Sequence, residues 1–263
     1  MSANNEFLHL LRDVMLRGVN STPDGKMCRE LLGHVTRVPM WSPLVTLHDR
    51  ALNYGFAAAE AVWYLTGNNR SDVLAKHIKC YDKYAKGGII TWAYGPKIVD
   101  QLAYVIESLN KDRATRRSVL STWRENPRWD DPPCTLTMQF MIRDDILECM
   151  VTMRSSDSWL GWPYDVFSFS MIAMYVGLSL EVRPKHLGEL TIFAGSQHIY
   201  ETDVEKVDAL IAQDKPNYLL CSTDWWPQLK SPGHLIAELE CIRDEAWGAK
   251  NTQFMEELSH DPL

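Results

Sequence analysis

No stretch of this chain reaches the roughly 18 consecutive apolar residues that a membrane helix needs. The longest candidate, Val166 to Leu180, is broken by Ser168, Ser170 and Gly177. CxxC pairs are missing too. Cys28, Cys80, Cys134, Cys149, Cys221 and Cys241 lie scattered without regular spacing, which argues against a structural zinc site and against a disulfide framework. Each reads as a reduced thiol, and no metal is expected. Positive charge is in deficit, with 27 Lys and Arg against 34 Asp and Glu and a net charge of -7. A broad attraction to nucleic acid is therefore not expected, and an anionic ligand would need a local cluster of Arg or Lys. Internal repeats, low-complexity tracts and Gly/Ser linkers are absent, so one domain over residues 1–263 is the simplest organisation. The start, MSANNEFLHLLRD, has no basic leader followed by an apolar core, and a cytoplasmic location is expected.

What is present is a 46% hydrophobic chain of 263 residues, enough for one large core. Phe7, Leu8, Leu11, Val14 and Met15 recur at helical spacing and predict a helix over Asn5 to Gly18. Arg50 to Thr66 reads as a longer helix ending at Gly67, and Lys97 to Asn110 repeats the pattern. Ser118 to Trp123 is β-prone. Thr135 to Arg143 and Ile146 to Arg154 flank Asp144-Asp145, which predicts a hairpin. Val166 to Leu180 is apolar all round and predicts a buried helix packed on the sheet. Glu189 to Tyr200 reads as a strand, with helices at Val204 to Gln213 and Leu235 to Trp247. This mixed order fits an α+β fold better than a doubly wound parallel sheet.

Taken singly, the chemistry-bearing residues have ordinary explanations. Cys134 follows Pro132-Pro133 and opens a strand; a lone Cys is usually packing, although Cys134 with His198 could form a cysteine hydrolase pair. Glu60 lies inside an apolar helical stretch, where a buried carboxylate is costly unless paired or used. Arg116, Arg117 and Arg154 could be surface cations, or a guanidinium cluster for an anionic substrate. His198 and Tyr200, two apart on a strand, point to one face.

Their context is more specific. DPPCTLTMQFMIRDDILECMVTMRSSDSWLGWPYDVFSFSMIAMYVGLSL resembles the core of the thymidylate synthase family, in which Pro-Cys begins a strand ending in Arg-Ser-x-Asp, followed by Leu-Gly-x-Pro and a buried helix. RRSVLSTW, GSQHIY, AEAVWYLTG and WAYG resemble further family segments in the right order, from about Phe7 to Tyr200. The resemblance implies an α+β fold with a mixed sheet packed with helices, a homodimer with shared active sites, a pyrimidine nucleoside monophosphate as substrate and 5,10-methylenetetrahydrofolate as cosubstrate. It implies Cys134 as the nucleophile that adds to carbon 6 of the pyrimidine, so that carbon 5 can attack the folate methylene. A nearby Arg would favour the thiolate. It also implies Glu60 and Tyr94 as catalytic groups beside the base. Arg154, Ser155 and the pair Arg116-Arg117 would hold the phosphate, the pair reaching in from the other subunit. His198 and Tyr200 would hold the sugar, and Asp157 and Gly161 would line both the nucleotide and folate sites, with Tyr81 on the folate. Lys26 is the candidate for a phosphate group that the family supplies from an N-terminal loop.

Departures from the family pattern carry information. Asp165 stands where thymidylate synthases place the Asn that pairs with uracil. A carboxylate can accept from the 4-amino group of cytosine and from a protonated ring nitrogen 3, and Asp here resembles dCMP hydroxymethylases. A helix-capping Asp is the plainer alternative. Thr135 replaces a His that follows the nucleophile. Tyr81-Asp82 replaces a Trp-Asp pair, the ending SHDPL differs from the family's apolar tail, and Asp224-Trp225-Trp226 resembles a segment of the phage enzymes. The expected activity is 5-hydroxymethylation of CMP or dCMP. Cytidylate methylation, dUMP methylation and a nucleotide-binding relative without catalysis are the competing readings.

Overall fold

The computed structural model describes residues 2–78, 83, 85–123, 132–213, 216–218 and 228–248. Tyr81, Asp82, Asp224, Trp225, Trp226 and the ending SHDPL lie outside the described residues.

The chain opens with helix α1 (Ala3–Arg17), N-capped by the Ser2 hydroxyl, and it buries Phe7, Leu8, Leu10, Leu11 and Val14. Strands β1 (Val19–Ser21) and β2 (Cys28–Pro39) follow, then helices α2 (Tyr54–Leu65), α3 (Ser71–Ala75) and α4 (Tyr94–Lys111). Next come β3 (Val119–Ser121), β4 (Thr135–Arg143), β5 (Ile146–Asp157), α5 (Trp162–Ser179), β6 (Leu187–Tyr200), α6 (Glu201–Ile211) and α7 (Pro232–Gly248). The strands form one sheet in the order β1-β2-β6-β5-β4-β3. The β5–β6 pair is parallel and every other neighbouring pair is antiparallel. This is the expected α+β architecture with a mixed sheet.

Local chemistry accounts for the joints. Asp144 and Asp145 both take positive φ, 49° and 61°, as a two-residue hairpin turn requires. The helix expected from Arg50 begins only at Tyr54, because Ala51 is left-handed (φ 48°) and the Asn53 side chain caps α2 by accepting from the Phe56 amide. Strand β2 is absent from the sequence-based expectations. Its Gly33 sits at φ 66°, and several of its residues are exposed, so the two-residue alternation that marks a half-buried strand is blurred.

Helix α5 is the apolar centre. Its all-round hydrophobicity is matched by its position, packed against α2, α7, β5 and β6. Burial of Phe167, Phe169, Met171, Ile172 and Val176 contributes on the order of 1.5–3 kcal/mol per side chain. Among the described residues no helix is long and apolar enough to cross a membrane.

Candidate active site

The topology gathers functional groups at one end of the sheet. β5 and β6 end there with Asp157, His198 and Tyr200, while β2 and β4 begin there with Cys28 and Thr135. Cys134 stands immediately before β4, half-buried, and its surroundings hold its backbone from both sides. Its amide donates to the Tyr94 hydroxyl at 2.9 Å and that of Thr135 does so at 3.2 Å. Its carbonyl accepts from the Arg154 amide at 2.8 Å. The Arg154 guanidinium donates to the carbonyls of Pro133 (3.0 Å) and Pro132 (2.7 Å). Arg154 is therefore no loose surface cation but a strap across the Pro-Pro-Cys segment.

Tyr94 opens α4 instead of sitting in a turn. A Cβ on the next residue, Gly95, would come within 2.7 Å of the Trp63 carbonyl oxygen, so glycine there lets α4 approach the end of α2 and seats Tyr94 against Tyr64, ring centroids 5.5 Å apart. Burial and the neighbouring Cys134 push the Tyr94 phenol above its usual range.

Three carboxylates face the same space. Glu60, 5% exposed on α2, accepts from the Ser168 hydroxyl of α5 at 3.0 Å. Asp165 lies one turn earlier on α5, in its first turn and two residues past Trp162-Pro163, with Gly161 in the capping position. The capping alternative for Asp165 thus falls away. Burial, then the charges of Glu60 and Asp157, hold the Asp165 carboxyl well above the usual carboxylate range. Asp157 closes the turn between β5 and α5, with Oδ1 accepting from the Trp159 and Leu160 amides at 2.9 Å each. Burial raises its pKa also.

His198 is in register with Asp157 on β5 and with Glu30 on β2, so two carboxylates flank the imidazole. Burial outweighs them and lowers the His198 pKa, leaving a neutral ring that can both donate and accept. Its ring meets that of Tyr200 edge-on at 4.9 Å, and Lys26 Nζ lies 6.0 Å from the Tyr200 ring centroid. Ser155 pairs with Ser196 two residues back from the Asp157–His198 pair. Cys134, Tyr94, Glu60, Asp157, Gly161, Asp165, Arg154, Ser155, His198, Tyr200 and Lys26 all belong to the segments that meet at this end.

Compared with protein families, the chain matches the one described as Thymidylate synthase over residues 5–222. The chain belongs to the thymidylate synthase family. Its coarse activity follows from that membership: folate-dependent one-carbon transfer to a pyrimidine nucleotide.

Arg116 and Arg117 do not join their own chain's site. They are exposed just before β3, and the Gln139 side chain donates to the Arg116 carbonyl. Gln139 is five residues beyond Cys134 on an extended strand, about 17 Å away. Residues missed by sequence reasoning are Glu30, placed beside His198 by β2, and Arg50, which binds the Trp159 carbonyl at 2.6 Å. Recognising β2 as a strand would have revealed Glu30; no local signal marks Arg50.

The site residues fit a reduced folate. Asp157 commits one oxygen to the turn and, among the described residues, its other oxygen accepts no hydrogen bond, while Leu160 beside it is 52% exposed. A carboxylate next to an open apolar side chain suits a flat, hydrogen-bonding ring system.

Proposed function

We propose that this chain is a cytidylate 5-hydroxymethyltransferase, which converts CMP or dCMP, methylenetetrahydrofolate and water into the 5-hydroxymethyl nucleotide and tetrahydrofolate. The observation that carries the reading is Asp165, a carboxyl with a raised pKa inside the first turn of α5, close to Glu60 and Asp157. A protonated carboxyl donates its O–H to ring nitrogen 3 of cytosine and accepts from the 4-amino group with its carbonyl oxygen. When the Cys134 thiolate adds to carbon 6, nitrogen 3 becomes basic and takes that proton. Asp165 is then a carboxylate that accepts from the N3–H and the 4-amino group of a neutral adduct, a charge-assisted contact made in the adduct and not in the ground state. Uracil has no nitrogen that can take the proton in this way.

The remaining assignments follow the geometry. Tyr94 and Arg154 hold the nucleophile's backbone, and Glu60, anchored by Ser168, moves protons between water and the base. The reduced folate supplies the one-carbon unit, held by Asp157 and Gly161, with Tyr81 as a further proposed contact. His198 and Tyr200 bind the sugar. Arg154, Ser155 and Lys26 address the phosphate together with Arg116 and Arg117 of the partner subunit. A homodimer is supported by the strand arithmetic above and by an exposed row on the outer sheet face. Val35 and Phe193, each 40% exposed, stand in register with Thr152.

The deciding experiment supplies CMP, dCMP, UMP and dUMP with methylenetetrahydrofolate and weighs the products. The expected product carries one added CH2O unit on a cytosine nucleotide. Stoichiometric dihydrofolate with a methylated nucleotide would assign a methyltransferase instead, and absence of turnover with every nucleotide would favour a binding protein.

A further inference from the structure

Arg50 is 8% exposed, yet among the described residues it forms no ion pair. Its guanidinium carbon lies 4.5 Å from the Trp159 ring centroid and Nη2 donates to the Trp159 carbonyl at 2.6 Å. Its Nε is buried and, among the described residues, finds no partner. Burial pushes its pKa down, partly offset by Tyr164 and Asp157. A buried cation with an unsatisfied N–H costs stability that an apolar side chain would not. Packing alone does not explain it.

Its placement does. The amides of Trp159 and Leu160 are taken by Asp157, and the Gly161 amide donates to the Asp157 carbonyl at 3.1 Å. The Trp159 carbonyl is a further handle on the turn, and Arg50 holds it. The Asp165 amide donates to the Gly161 carbonyl at 3.0 Å, so the base-facing carboxyl rides on the same turn. Three residues after Arg50, the Asn53 amide donates to the Tyr164 hydroxyl at 3.1 Å while its side chain caps α2. Phe56 meets Tyr164 edge-on at 4.8 Å. Glu60 follows Asn53 by two helical turns on the same face. Ala51, between the two anchors, holds a left-handed conformation (φ 48°) that non-glycine residues take at a cost.

We propose that residues Arg50 to Asn53 form a brace that sets the spacing between Asp165 and Glu60, with Arg50 as its positioning residue. The proposal rests on the reading of Asp165 and Glu60 as the groups that face the pyrimidine. In this role Arg50 acts through the Trp159 carbonyl and the turn.

The test compares wild type with Arg50→Met, Arg50→Lys and Tyr164→Phe. In folded Arg50→Met, a misplaced carboxyl should lower kcat about ten- to a hundredfold with a much smaller change in nucleotide KM, because sugar and phosphate contacts are untouched. The cytosine-to-uracil ratio of kcat/KM should fall about tenfold. Arg50→Lys keeps the charge and reaches the carbonyl but cannot stack as a planar fork, and it should recover part of both losses. Tyr164→Phe removes only the acceptor for the Asn53 amide; it should move both quantities the same way by a smaller factor, and it decides the matter if Arg50→Met does not fold. Variants that melt earlier but keep kcat and base ratio would reduce Arg50 to a structural residue and overturn the proposal. A wild-type base ratio near one would sink the cytosine reading alone, leaving the brace to be judged by kcat on whichever nucleotide is turned over.

Discussion

Replacing Asp165 with Asn exchanges an acidic O–H for an NH2 that cannot give up its proton and changes almost nothing in volume. In the ground state an amide can still pair with cytosine, since its NH2 donates to nitrogen 3 and its oxygen accepts from the 4-amino group. What it cannot do is give nitrogen 3 a proton when Cys134 adds. The loss should therefore fall on kcat rather than on nucleotide KM. A charge-assisted hydrogen bond is worth about 1.5–3 kcal/mol, so kcat/KM for CMP or dCMP should drop roughly ten- to a hundredfold. Uracil nucleotides should lose nothing and gain relative to cytosine, because an amide matches their N3–H and carbonyl 4. The assay is steady-state kinetics on the four nucleotides with each enzyme. An unchanged cytosine-to-uracil ratio would refute the argument that Asp165 reads the base. Stability supplies an independent check. The folded-state pKa of Asp165 is raised, so the native protein keeps a proton that the unfolded chain releases as pH climbs past the ordinary carboxylate range. Its contribution is fully present below about pH 4 and is lost as pH rises toward the folded value. Asp165→Asn should accordingly melt above wild type near neutrality and match it below about pH 4.

Cys134→Ser should abolish turnover while leaving nucleotide affinity nearly intact, because the phosphate and sugar contacts lie on other residues; normal turnover would remove the nucleophile assignment. Mixing inactive Cys134→Ser chains with inactive Arg117→Ala chains should restore activity, since the arginine pair lies about 17 Å along the sheet from its own Cys134. A monomer in sedimentation, or no rescue after subunit exchange, would count against shared sites. Tyr94→Phe strips the acceptor from the Cys134 and Thr135 amides, one of them fully buried, and should lower stability by about 1–3 kcal/mol along with kcat. An unchanged melting temperature would mean that these amides find other partners.

Much of the fold was legible because its signals are local. The helical spacing of Phe7, Leu11 and Val14, the apolar run that became α5, and the Asp144-Asp145 turn each depend on residues a few positions apart. The same holds for the Pro-Cys start of β4 and the Arg-Ser-x-Asp end of β5, whose linear order carries the family resemblance. Asp165 was singled out by its place four residues after Gly161, and that spacing is preserved on the first turn of α5.

Other features exist only once strands are paired and helices packed. Glu30 and His198 are 168 positions apart and become neighbours through the β2–β6 register. The raised pKa of Asp165 comes from burial and from Glu60 on another helix, neither of which is written in the residues around it. Arg50 read as the start of a helix; the left-handed Ala51 and the Asn53 cap ended that and sent its guanidinium to Trp159, 109 positions away. The resemblance implied that Arg116 and Arg117 reach in from the other subunit, but only the β3–β4 pairing shows how far along the sheet they stand from their own Cys134. Periodicity and turn chemistry act over a few residues and are therefore present in the sequence itself. Register, burial and electrostatic coupling join distant residues, and only tertiary structure decides them.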